Sequence, residues 1–133
     1  MGIKLMNLAT LMVLSFAFVN VNAQANKDYA YLSNQRALLH KYAFCKCLGY
    51  GFPKESLNSK DFSLTILMEQ LEYPLSVYMK VDSIAKIFAE SIQESNYQDT
   101  RGKKGVMVNC IDFYIGKKLD SLIKSFDPSL QKK

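Results

Sequence analysis

Residues 74–92 read PLSVYMKVDSIAKIFAESI, the clearest periodic stretch in this chain. Leu75, Tyr78, Val81, Ile84, Ala85, Phe88 and Ile92 recur at threes and fours, with Lys80, Asp82, Lys86 and Glu90 on other faces. At about 100° per residue, that spacing lines one side of a helix with apolar groups. Pro74 cannot extend a preceding helix but suits the first turn of a new one. A single helix cannot bury such a stripe alone, so the rest of the chain must supply its cover.

Upstream, residues 28–48 are rich in Leu, Ala, Lys, Gln and Arg and hold no Gly or Pro, which predicts one long helix. Gly49 is expected to stop it, and Gly51-Phe52-Pro53 to prevent a restart. A polar connection, 53–59, leads to a second helix. Asn58 or Ser59 is expected to cap it, Asp61 serves its first turn, Phe62, Ile66, Met68 and Leu71 are its apolar residues, and Tyr73 ends it. Downstream, residues 94–104 form the longest polar stretch, with Tyr97 as its one aromatic and Gly102 loosening the backbone. Gly105 to Tyr114 reads as a further helix, although Val106-Met107-Val108 also suits a strand. After a break at Gly116, residues 117–126 should turn Leu119, Leu122, Ile123 and Phe126 inward. Asp127-Pro128 ends that helix, and 129–133 is expected to fray. The expected fold is all-α: a small bundle of four to five helices with one disulfide.

The first 23 residues carry a different message. Lys4 is followed by an uncharged apolar run from Leu5 to Val21, and Val21-Asn22-Ala23 places small or modest side chains before Gln24. This is the pattern of a secretory signal peptide, residues 1–23, ahead of one domain at 24–133. A spanning helix needs roughly 20 apolar residues, and Asn7, Thr10, Ser15 and Asn20 interrupt this run, so no stable membrane anchor is expected. Lys4 is the segment's only charge, so its removal takes the formal charge from +5 to +4. Mildly basic and exported, the mature chain suits an acidic protein partner better than nucleic acid.

Three cysteines remain, Cys45, Cys47 and Cys110, and in an oxidising compartment two of them should pair. Leu39, Ala43 and Cys47 lie along one helical stripe, and Leu38, Tyr42 and Cys45 along another. Periodicity leaves open which stripe faces Cys110. Catalytic signatures are sparse. His40 is the only histidine, and helical spacing holds it away from both nearby cysteines, so it reads as a solvated residue. Glu69 and Glu72, three apart, suit an exposed helix face rather than a glycosidase pair. No glycine-rich phosphate loop and no Gly-x-Ser-x-Gly elbow is present. The expectation is a binding protein with no catalytic residues, no metal and no cofactor.

The C-terminal third carries a more specific pattern. Val108-Asn109-Cys110-Ile111-Asp112-Phe113-Tyr114, followed by Gly116-Lys117-Lys118-Leu119-Asp120-Ser121-Leu122, resembles the closing signature of the type VI secretion amidase immunity proteins, fourth group. Cys47-Leu48-Gly49-Tyr50 is similar to the cysteine segment of that family's first helix. The order of segments between the two also fits, so the resemblance spans most of 24–133. Two departures stand out: Cys45 is an additional thiol, and 58–73 matches only loosely. The resemblance implies an all-helical periplasmic inhibitor of a papain-like cysteine amidase that rival cells inject to cleave peptidoglycan peptides. It implies a Cys47–Cys110 disulfide, architectural roles for Asp112, Tyr114, Leu119 and Asp120, and a homodimer that binds two toxin molecules. It also implies a protruding inhibitory loop. The best stretch for that loop is 94–104, with Tyr97 as anchor and Gln98, Asp99, Thr100 and Arg101 beside it for polar contacts.

Overall fold

The computed structural model describes residues 3–130, with side chains described from residue 27 onward apart from Asn58. Helix α1 runs Ile3–Gly51, α2 Leu57–Lys60, α3 Ser63–Gln70, α4 Leu75–Ser91, α5 Val106–Ile115 and α6 Lys117–Lys124. Three short 3-10 turns, at Pro53–Glu55, Gln98–Thr100 and Asp127–Ser129, complete the regular structure. The all-α class is as expected, and the described residues contain one disulfide, Cys47–Cys110. Residues 1–34 and 35–133 form separate compact units.

Helix α1 is much longer than the 28–48 reading. No Gly or Pro interrupts the chain between Ile3 and Leu48, so nothing local stops the helix earlier. Nor does Gly49 end it. A glycine inside a helix costs only about 1 kcal/mol relative to alanine, and the covalent tie at Cys47 holds that turn in place. The ladder continues to Phe52, whose N–H donates to Leu48 O at 2.9 Å. Phe52 then leaves helical geometry at φ −120°, ψ 62°, because the proline after it disfavours the α region.

The buried face of α1 is broader than either single stripe. Gln35, Leu38, Leu39, Tyr42, Ala43 and Cys47 are all buried, so both apolar rows face the core and only Cys45 stays half-buried. In α4 the stripe is Val77, Tyr78, Val81, Ala85 and Ala89, continued by Ile92. Leu75, expected inside, is 69% exposed, since it lies about 100° round from the stripe's centre. Phe88 is half-buried and stacks on Phe113 at 4.6 Å between ring centroids. Val106, Cys110 and Phe113 of α5 and Leu119 and Ile123 of α6 close the core.

The middle segment departs furthest from expectation. The 58–73 helix is two short pieces, and α3 ends at Gln70, with Leu71 extended at ψ 132°. Within α3 only Leu67 is buried, joined by Leu71 just past the helix end, which leaves Phe62, Ile66 and Met68 exposed. Asp61 does serve the start of α3, its Oδ1 accepting from Ser63 N–H at 2.8 Å. Ser59 instead donates its hydroxyl to Ser56 O, while the Asn58 side chain lies outside the described residues.

The C-terminal end is better anchored than a frayed tail. Helix α6 stops at Lys124, Leu130 is buried, and the Arg36 guanidinium holds both carboxylate oxygens of Asp127. Residues 131–133 lie outside the described residues.

Candidate functional site

Residues 94–104 leave the helical body as a short, internally bonded hairpin. Glu94 and Lys104 form an antiparallel bridge at its base. Ser95 N–H donates to Lys103 O at 2.8 Å, and Gly102 N–H donates back to Ser95 O at 3.2 Å. Gly102 sits at φ 75°, where a side chain is disfavoured, so the glycine bends the chain rather than merely loosening it. At the crest, Gln98–Thr100 is a 3-10 turn in which Thr100 N–H reaches Tyr97 O at 3.1 Å. The Ser95 and Thr100 hydroxyls lie 2.6 Å apart across the hairpin, and Tyr97 N–H donates to Ser95 Oγ.

This bonding presents one aromatic ring to solvent. Tyr97 is 82% exposed, and Gln98, Asp99, Thr100 and Arg101 are exposed beside it. A large side chain on an ordered backbone is a ready anchor, because only the two χ angles of the tyrosine remain to be ordered on binding.

The hairpin's roots are fixed by the core. It runs directly into α5, whose Cys110 is bonded to Cys47 of α1 with the Cα atoms 5.8 Å apart. Beside the hairpin is the turn that follows α1, and the two, with Ala89 and Glu90 of α4, line an open cleft of about 670 Å³. In the sequence this turn reads as part of the polar 53–59 connection, and its one signal is Gly51-Phe52-Pro53. Nearby, Lys46 Nζ lies 2.5 Å from Asp82 Oδ1, an ion pair outside good hydrogen-bond alignment, and 5.2 Å from the Tyr50 ring centroid. Tyr50 donates its hydroxyl to Asp82 Oδ2 at 2.8 Å, so the last turn of α1 is tied to α4.

The signature residues are spread through the fold rather than gathered at the hairpin. Tyr114 is half-buried, its ring edge-on to His40 and Phe44. His40 is not solvated as expected: Nδ1 lies 2.9 Å from Tyr114 O, which fixes Nδ1–H as donor, and Nε2 is 3.8 Å from Asp120. Asp120 pairs with Lys124 at 2.8 Å, and that bond holds its carboxyl below the usual carboxylate range. Leu119 is buried, whereas Asp112 is exposed on the rim of an apolar groove of about 620 Å³ among α4, α5 and α6. Burial, reinforced by the charge of Asp61, pushes the Cys45 thiol up, so little thiolate is present at neutral pH. Among the described residues no cluster of three or more His, Cys, Asp or Glu is placed to hold a metal, and no helix is long and apolar enough to cross a membrane.

No curated protein and no solved structure matches the chain. One family model does, Tai4, described as the type VI secretion system (T6SS) amidase immunity protein, over residues 37–123. That span starts at the buried face of α1 and takes in both bonded cysteines, the hairpin and most of α6. This chain therefore belongs to the T6SS amidase immunity protein family.

Proposed function

We propose that residues 1–23 direct export and are removed, and that the domain at 24–133 works in the periplasm against an injected amidase of papain-like type. It binds the toxin and blocks its cleft sterically, with no chemistry of its own. The hairpin is the blocking element. The exposure of Tyr97 on a hydrogen-bonded crest carries this reading, because a stiff aromatic projection suits a concave enzyme site. A homodimer that engages two toxin molecules is part of the same reading.

Replacing residues 97–101 with a Gly-Ser segment tests it by surface plasmon resonance against the cognate amidase. The dissociation constant should rise at least about thirtyfold, as for loss of a hot spot. The melting temperature should change little, since these side chains are exposed. Unchanged affinity overturns the hairpin's role. The apolar groove among α4, α5 and α6 favours a second reading, a small apolar-ligand carrier. Lipid co-purifying with the mature chain in native mass spectrometry would support that alternative.

A further inference from the structure

We infer that the amidase-binding surface has two walls: the 94–104 hairpin and the Pro53–Glu55 turn, with the cleft between them receiving a polar, mixed-charge rim of the toxin. This deepens the proposed function and rests on it for the identity of the partner.

Both walls spring from one staple. Cys47 lies one turn before the end of α1, and Cys110 lies one turn into α5, so the disulfide joins the helix that leads into the turn to the helix that follows the hairpin. Gly51 and Val106 reinforce the junction: a Cβ on Gly51 would stand 2.3 Å from Val106 Cγ1, so only a glycine lets the two helix ends approach this closely. The spacing between the walls is thus set by the core.

The turn is as well defined as the hairpin. Glu55 N–H donates to Phe52 O at 3.1 Å. Ser56 follows in the left-handed region at φ 49°, and its carbonyl accepts from both Ser59 N–H and Ser59 Oγ. A non-glycine residue in that conformation persists only when its surroundings hold it.

The cleft's chemistry selects its occupant. Tyr50 and Phe52 line it together with Lys54 and Glu55 from the turn, Glu94 and Lys104 from the hairpin, and a third carboxylate, Glu90 of α4. Each wall therefore offers one ammonium and one carboxylate, and Glu90 between them adds a further negative charge, so both signs are present with a slight acidic excess. Such alternation repels a uniformly charged polymer such as nucleic acid, and it leaves an apolar chain facing charges it cannot satisfy. A protein segment bearing both signs, with side chains able to lie against the aromatic rings, is complementary to it.

The test is a charge swap, Lys54→Glu with Glu55→Lys, in the full mature chain, measured beside Tyr97→Ala. The swap keeps net charge constant and alters two exposed side chains, so the melting temperature serves as a folding control. Amidase affinity should fall about tenfold in the swap, with much of the loss in association rate and a weakened dependence on salt. Tyr97→Ala should weaken binding independently. If the swap binds as the parent while Tyr97→Ala is weakened, the second wall is overturned and the hairpin reading stands. If neither variant loses affinity, both readings fall. Loss in the swap alone assigns binding to the turn and overturns the two-walled surface.

Discussion

At the scale of single residues, the polar groups that matter are those sitting between helices. His40 shows how a lone titratable residue changes meaning once folded. On the sequence it stands on a helix with no partner at i±3 or i±4, and the structure supplies Tyr114 O and Asp120 from more than 70 positions away. Periodicity carries no information about such contacts. Asp120 gives a prediction. Because Lys124 depresses its folded pKa, its contribution to stability is present above the unfolded carboxylate pKa of about 3.9 and is lost as the pH falls through the lower folded value. Asp120→Asn should therefore melt at a lower temperature than the parent at pH 7. The difference should vanish in strong acid, as followed by circular dichroism in low salt. A gap independent of pH would assign Asp120 a role other than its charge.

At the scale of elements, helix existence and type were legible while ends and faces were not. Pro74 and the 75–92 periodicity marked α4, and Gly116 marked the break before α6, because these signals act within one turn. The α3 register was misread because an eight-residue helix holds too few apolar positions for periodicity to choose among its faces. Its end is fixed by a distant side chain. Gln35, only 3% exposed, donates through Nε2 to Gln70 O at 3.1 Å and accepts Glu72 N–H at 2.9 Å. Nearby, Tyr78 Oη donates to Leu71 O in a buried bond, and burial pushes that phenol up. Gln35→Leu is isosteric enough to keep packing but strips partners from two backbone groups. It should cost about 1–3 kcal/mol in urea unfolding, since two part-buried hydrogen bonds are lost and each is worth roughly 0.5–1.5 kcal/mol. Gln35 is a polar residue in line with Leu38, Leu39 and Tyr42, and that interruption was the sequence's only hint of its role.

At the scale of the whole molecule, one covalent bond ties the ends of the matched region's fold together. The bridge joins positions 63 apart in sequence, which the loop-entropy model values at about 4 kcal/mol. Against a typical domain stability of ~5–15 kcal/mol, that is a major share. The double variant Cys47→Ala, Cys110→Ala should therefore lower the melting temperature sharply, as should reduction of the parent, and calorimetry with and without reductant measures both. A melting temperature insensitive to reductant would remove the staple from the account. The all-helical class, the family signature and the hairpin's polar character could be read from order and composition, because they follow from local propensity and short spacing. Which stripe of α1 meets Cys110, how the 53–55 turn comes to share a cleft with Glu94 and Lys104 at the hairpin's base, and where α3 ends were decided by the fold. Those outcomes depend on contacts between segments far apart in the chain, and neither helical period nor capping chemistry reaches beyond a few turns.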